Sequence, residues 1–539
     1  MLTESVNRVS SSRAAEYIRN FLRNESLPTA AEEVSMAQRF LQDISLEELN
    51  RVSKEWFTDQ NRMVVVTAPE KAGLSLPDEA KLATVLKLSS NKELKPFVDS
   101  GGTGALLDSI PTPGTIVSSI TNETTGISEW KLSNGVRVLL KPTTFREDDI
   151  VFRATSPGGT SLASDADFIP ASTAVRTIAS SGLGAFNAVD LRKVMTGKVA
   201  AASPVIGELE EGLSGGTSRK DIETLFQLIY LRFTQPRADP AAFSVQASQA
   251  KAALLNQATN PAAAFSEMLT TTMYQNHLRR RPPTLAMVDQ WNLDKSMAFY
   301  KERFADASDF TFVFVGSFDL PLIQPFVERY VASLPSIRRQ ENWKDVGARP
   351  PKGVVEKQVE KGIEPKSQTA LVFTGPFEYD ESHRVAIRAM AHILQTRLLQ
   401  VIREELGGTY SISAGAGYQK FPDPEYSITI QFGSDPQRKD GLIQRVFQEL
   451  EQFKTDGPTE KQLTDEREAL QRDFELNSKV NAYLLSQIVA KLQHGEELTG
   501  VWELPSHFKK LDAATIQQAA KTYLNMSNHV QVTLVPQSR

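Results

Sequence analysis

Cysteine is absent from this 539-residue chain. That excludes a disulfide framework, a thiolate zinc site, an iron–sulfur cluster and a cysteine nucleophile. It leaves the redox compartment open. Histidine is scarce, with 6 residues at His277, His383, His392, His494, His507 and His529. No two are three or four positions apart, so no helix offers two imidazoles to one metal. Neither His-Glu-x-x-His nor its inverse, His-x-x-Glu-His, occurs. The nearest imitation, His494-Gly495-Glu496-Glu497, lacks the second histidine. No G-x-S-x-G elbow, Walker loop or G-x-G-x-x-G is present. No run approaches the roughly 18–20 apolar residues of a membrane span. The opening MLTESVNRVSSSRAAEYIRNFL has no apolar signal core. Read literally, the chain is neither exported nor anchored, a reading that holds only if this is the natural start.

What is present is ordinary for globular protein: 40% hydrophobic and 23% charged residues. The 60 Lys and Arg against 65 Asp and Glu leave a net charge of -5. That gives no global attraction to nucleic acid or anionic lipid. Arg279-Arg280-Arg281 precedes Pro282-Pro283 without interleaved aromatics, and reads as a solvated charged turn rather than a nucleic-acid patch. The length predicts roughly three or four domains.

A repeat organises the chain. Ile44–Val66, Trp291–Val313 and Leu511–Thr533 align without a gap. Each begins with an apolar residue and a helix N-cap, Ser45, Asn292 or Asp512. Glu48 adds a capping box to the first copy. A polar turn and a β-rich run follow: Met63–Val66, Phe310–Val315 or Val530–Val535. The second and third copies close segments long enough for a core. The first closes far too few residues, so residues 1–67 are expected to be the tail of an upstream domain, and the chain a C-terminal fragment. Residues 68–125, rich in Pro, Gly, Ser and Thr, read as a linker.

Two stretches then follow the same plan, at 126–340 and 345–539. In the first, Asn134-Gly135 between apolar runs predicts a hairpin, Ile150–Thr155 a strand, and Pro170–Ser181 and Asp221–Phe233 helices. In the second, Gln368–Thr374 reads as a strand and Glu381–Glu405 as a helix broken by Gly407-Gly408. Tyr410–Tyr418 and Tyr426–Phe432 read as strands, the latter alternating so that one face is buried. Thr459 with Gln462 marks a capping box. Elements in runs, rather than strict alternation, predict an α+β fold of two similar domains, each a largely antiparallel sheet covered by helices.

Two motifs resemble one family. Val315-Gly316-Ser317-Phe318-Asp319 with Tyr330-Val331-Ala332-Ser333-Leu334-Pro335-Ser336 is similar to the end of an odd-numbered domain of the pitrilysin/insulinase zinc peptidases. Arg403-Glu404-Glu405-Leu406-Gly407-Gly408-Thr409-Tyr410-Ser411 resembles their Arg-Glu-Glu-Leu-Gly-x-x-Tyr-Ser segment. The resemblance, greatest to bacterial members, implies four similar domains in two halves that close around a chamber, with zinc held by the first domain. It assigns 1–67 to the second domain, 126–340 to the third and 345–539 to the fourth. The stretch at Ala171–Ser181, equivalent to the zinc helix, has no His or Glu. No metal ligand is therefore expected in this chain; zinc belongs to the complete enzyme, and the chain alone is not expected to be active.

The same resemblance implies that Arg403 and Tyr410 reach the substrate. Tyr410 would assist the reacting carbonyl and oxyanion, and Arg403 would hold an adjacent main-chain carbonyl. The bland alternative pairs Arg403 with a local carboxylate and packs Tyr410 as a strand aromatic. The implied partners are a peptide and a zinc-bearing N-terminal half, in cis or in trans; a homo-oligomer is left open. A bacterial periplasm or envelope location is implied by resemblance, with the cytoplasm as the alternative. The competing function is a non-catalytic clamp or scaffold subunit of the same fold.

Overall fold

A computed structural model describes residues 10–58, 60–68, 73–90, 92–93, 104–409 and 411–537. The chain divides into two compact units, Met1–Gly101 and Gly102–Arg539.

The first unit contains helices Ser10–Arg23, Ala30–Leu41, Leu46–Trp56 and Glu79–Ser90. The first three bury no residue. Their apolar stripes stand in solvent, Phe21 at 86% exposure and Trp56 at 79%. The Ser45 hydroxyl accepts from the Glu48 amide as an N-cap, at 3.1 Å. The return bond of a capping box is missing among the described contacts; the Glu48 carboxylate lies 3.9 Å from Arg51 instead. The strand expected over Met63–Val66 is not formed. A strand needs a neighbour for its main-chain groups, and all four side chains are exposed. The linker reading of 68–125 also needs correction, because Glu79–Ser90 is helical and residues 116–122 belong to a sheet.

The second unit is built on two mixed sheets covered by helices. The first comprises β1 (Ile116–Asn122), β2 (Ile127–Leu132), β3 (Arg137–Pro142), β4 (Ile150–Pro157), β5 (Ala200–Ile206), β6 (Glu210–Thr217) and β7 (Thr311–Gly316). Their order is β1-β2-β3-β7-β4-β6-β5. The β2–β3 hairpin turns at Gly135, whose φ of 98° suits glycine. The second sheet comprises β8 (Val354–Glu360), β9 (Ser367–Pro376), β10 (Ile412–Gln419), β11 (Glu425–Ser434) and β12 (His529–Val535), in the order β10-β11-β9-β12-β8. In each sheet the strand that ends the repeat, β7 or β12, makes the one parallel pairing, with β3 or β8.

One face of each sheet carries its own helices. Helices Phe168–Ser180, Ile222–Thr234 and Leu293–Arg303 bury Ile178, Phe226 and Tyr300 against Phe152, Phe312 and Phe314 of the first sheet. Helices Glu381–Leu398, Lys439–Asp456 and Ala513–Tyr523 bury Ile387, Val446 and Ile516 against Phe373, Ile428 and Ile430 of the second.

The opposite faces are covered reciprocally. Helix Pro261–Met273, from the first half of this unit, lays Phe265, Met268, Leu269 and Met273 on Val372, Val530 and Val532 of the second sheet. Helix Asn481–Gln493, from the second half, lays Leu484, Ile488 and Val489 on Ile127, Leu139, Val313 and Val315 of the first. Asn481, 2% exposed, fastens the second crossing. It donates to the Asp149 carboxylate at 2.8 Å and accepts from the Thr143 hydroxyl at 2.7 Å. Neither sheet completes its two-sided burial with its own half of the chain.

Between the sheets lies a cavity of about 1080 Å³, bordered by Asp309, Thr311, Thr374, Tyr418, Thr429 and His494. Beside it a buried ionic cluster holds the connector between the halves. Arg303 meets Glu302 and Glu341, and Arg339 meets Glu302. Glu211 is 1% exposed and 3.6 Å from Arg303, too far to offset its desolvation, so burial pushes its carboxyl up to about 8. Burial likewise pushes Asp309 to about 6. Arg279, the first of the arginine run, is structural rather than solvated, while Arg281 is exposed. The Arg279 guanidinium is 6% exposed and donates to Asp165 and to the carbonyls of Thr160 and Ala163.

Candidate functional site

The site predicted around Arg403 lies where a helix gives way to an edge strand. Helix Glu381–Leu398 runs into a π-helical turn, Leu399–Glu405. Such turns insert an extra residue, re-aim the side chains beyond them and recur at functional sites. Val401 and Ile402 point into the core of the second sheet. Arg403 therefore faces out, with its side chain 49% exposed. The Leu406 amide bonds the Val401 carbonyl, the Gly407 amide the Arg403 carbonyl and the Gly408 amide the Ile402 carbonyl, at 3.2, 3.0 and 2.9 Å.

This terminus is braced from outside. Arg438 donates to the carbonyls of Leu406 and Gly407 at 2.9 and 3.1 Å, placing a fixed cation where the helix dipole is negative. Gly407 has a φ of 54°, the left-handed conformation that closes helices. At Gly408 a Cβ would stand 2.4 Å from Leu442 Cδ2, so glycine lets the chain pass close to the helix Lys439–Asp456. The two glycines noted in the sequence thus have separate duties, one of conformation and one of space.

Among the described residues Glu404 is the partner of Arg403, with Arg403 Nε 3.4 Å from Glu404 Oε1. Both side chains are about half exposed or more, so the pair contributes roughly 0–1 kcal/mol. This is the local carboxylate of the bland alternative, held too weakly to occupy the guanidinium permanently. Tyr410 lies outside the described residues. On either side of it, the Thr409 hydroxyl donates to the Ser411 carbonyl at 2.8 Å. Strand β10 begins immediately afterwards.

The sequence reasoning missed Arg438 and Gln395. Gln395, on the helix Glu381–Leu398, donates from Nε2 to the Ile412 carbonyl at 2.9 Å. Its Oε1 accepts from the Ala414 amide. One available signal was a carboxamide placed directly beside the apolar face formed by Ile393, Leu394 and Leu398.

The residues do not suit a catalytic zinc. Among the described residues the group of potential ligands is Glu378, Asp380 and His383, with donor atoms within 4.8 Å. It offers one imidazole, its carboxylates are exposed, and Asp380 is already committed. Asp380 Oδ1 accepts from the His383 amide and Oδ2 lies 2.8 Å from His383 Nδ1, the arrangement of a helix N-cap. Catalytic zinc takes three protein ligands with an open fourth position. The other histidines also have local contacts, among them His392 with Glu466, His494 with Tyr379 and His529 with the Met526 carbonyl.

Residues 290–470, which include Arg403 and Tyr410, match the family model described as the peptidase M16 inactive domain. Over that stretch the chain carries the features of a peptidase M16 inactive domain. A zinc protease PQQL-like protein of Arabidopsis thaliana is 23% identical over 503 residues, covering 90% of this chain and 50% of the relative. A probable zinc protease PqqL of Haemophilus influenzae is 22% identical over 458 residues, covering 81% and 47%. The chain thus spans about half the length of the curated relatives it matches. The periplasmic protease PqqL of Escherichia coli superposes with a TM-score of 0.72 at 20% identity, covering 99% of this chain and 59% of that one. A peptidase M16 inactive domain of Pseudomonas fluorescens superposes at 0.62 and 16% identity, covering 77% and 98%. The two helix-covered sheets are the fold these M16 structures share. No helix among the described residues is long and apolar enough to cross a membrane.

Proposed function

We propose that this chain is the C-terminal, non-zinc-binding half of a zinc-dependent endopeptidase. On this reading 1–67 is the tail of a second domain, 126–340 the third and 345–539 the fourth. The two halves enclose a peptide, and the metal belongs to the N-terminal half, in cis or in trans. The observation that carries the proposal is the Arg403–Tyr410 segment within an M16 inactive domain, on a π turn that presents Arg403 outward.

The chemistry assigned to this chain is to hold the scissile region. Arg403 is a permanent cation with a planar donor fork suited to a main-chain carbonyl. Tyr410 brings a neutral O–H donor to the carbonyl oxygen that becomes an oxyanion. Donors aimed where charge develops contribute about 2.7–4 kcal/mol each. The test is Tyr410→Phe and Arg403→Ala in the complete two-half protein, with peptide turnover measured. The expected loss in kcat for Tyr410→Phe is about 10²–10³-fold. Unchanged turnover in both variants would remove these two side chains from the mechanism.

A further inference from the structure

The edge of the second sheet is only partly closed. Strand β10 pairs with β11 on one side and, among the described residues, has no strand on the other. In an antiparallel pair, a residue's N–H and C=O point to the same side, and the side alternates along the strand. The Ile412 carbonyl and the Ala414 amide are bonded by Gln395, so these two residues face away from β11. Ala416 and Tyr418, two and four residues further on, face the same way. Their main-chain groups have no partner among the described residues. Gln395 is therefore a stand-in for a neighbouring strand. Its carboxamide has the donor and acceptor of a peptide group, and it occupies the first rung while the next two stay open.

We infer that the free edge of β10 receives an extended peptide segment as an added strand, bonded through main-chain amides to Ala416 and Tyr418. The side chains around those rungs leave room. Residues 414–417 read Ala-Gly-Ala-Gly, and a Cβ at Gly415 would meet nothing within 4 Å. The strand begins directly after the Arg403–Tyr410 segment, so a peptide on it would run toward that site. Two open rungs bounded by the Gln395 side chain suit a single extended segment better than the long edge of a second copy. The ligand class is an unfolded polypeptide recognised by its main chain. The inference takes its peptide from the proposed function, but it concerns docking and not turnover.

The test uses the 539-residue chain and a fluorescein-labelled ten-residue peptide alternating Thr and Val, with binding followed by anisotropy. Ala416→Pro removes a free donor at an edge position where proline is tolerated. It is expected to weaken binding about tenfold. The same peptide N-methylated at every second residue should bind the unaltered chain about tenfold more weakly, which tests the ladder without altering the protein. Gln395→Leu frees the first rung and should tighten binding several-fold. Equal affinities for the plain and N-methylated peptides overturn the inference. So does a chain that dimerises through this edge, loses the dimer in Ala416→Pro and ignores the peptide. If docking fails while Tyr410→Phe still abolishes turnover in the complete protein, the proposed function stands and only the β10 inference falls.

Discussion

Phe265→Ala probes the reciprocal covering of the two sheets. Phe265 is 3% exposed on the helix Pro261–Met273, against Ala370, Val372, Val530, Val532 and Leu534. Deleting a buried phenyl group loses its transfer free energy, about 1.5–3 kcal/mol. The cavity left behind brings the total to about 3–5 kcal/mol. Against a domain stability of about 5–15 kcal/mol, that is a large share. The side chain belongs to the first half of the unit and the surface it covers to the second. If the halves unfold together, protection must fall on both sheets. The assay is native-state hydrogen exchange in increasing urea, comparing amides of β6 and β7 with those of β11 and β12. The expected result is a parallel drop of about 3–5 kcal/mol in both sets. A loss confined to the second sheet, or one below about 1 kcal/mol, would refute the coupling. Ile488→Ala, 0% exposed on the helix that crosses the other way, should give the converse experiment with a loss of about 2–5 kcal/mol.

Arg438→Ala removes the donors to the Leu406 and Gly407 carbonyls. It should cost about 1 kcal/mol and speed amide exchange at residues 406–408, while β11 keeps its protection. Burial pushes the Glu211 carboxyl up from the ordinary carboxylate range to about 8. The folded chain therefore holds this proton more tightly than the unfolded one, and the stabilisation it brings is full below about pH 4.5 and lost as pH rises through about 8. Glu211→Gln should flatten that fall, so its melting temperature relative to the unaltered chain rises with pH; no change in the difference between these limits contradicts the assignment. Metal analysis of the purified 539-residue chain should find less than one zinc per molecule, and one tightly held zinc per chain would contradict the absence of a fitting ligand set among the described residues.

Local chemistry was legible where one residue type decides the outcome. Asn134-Gly135 turned a hairpin, and Tyr426, Ile428, Ile430 and Phe432 buried alternate positions of β11. Thr459 and Gln462 formed both bonds of their capping box, at 3.0 and 3.2 Å. What was not legible depends on distant partners. Helices Pro261–Met273 and Asn481–Gln493 carry apolar faces, but nothing local says which sheet each covers. Arg279 looked solvated because the carbonyls that accept from it lie at Thr160 and Ala163, more than a hundred residues earlier. Met63–Val66 has the composition of a strand, yet composition cannot supply the neighbour. At the candidate site Arg403 and Tyr410 came from motif likeness alone. Arg438 and Gln395 act on main-chain groups left open by the fold, and of the two only Gln395 carried a sequence signal, its carboxamide beside an apolar helix face.

The crossing of Asn481–Gln493 onto the first sheet has a consequence for synthesis. The last strand of that sheet ends at Gly316, and Ile488 lies roughly 170 residues later. At about 5–20 residues per second, a ribosome needs on the order of 10–35 s to make that stretch. Until that stretch is made, Ile127, Leu139, Val313 and Val315 lack the apolar cover that this helix supplies. The nascent chain thus shows a greasy, strand-lined surface to the cell for many times longer than a hairpin takes to close, and a holding chaperone that binds such surfaces would be working on residues 127–315.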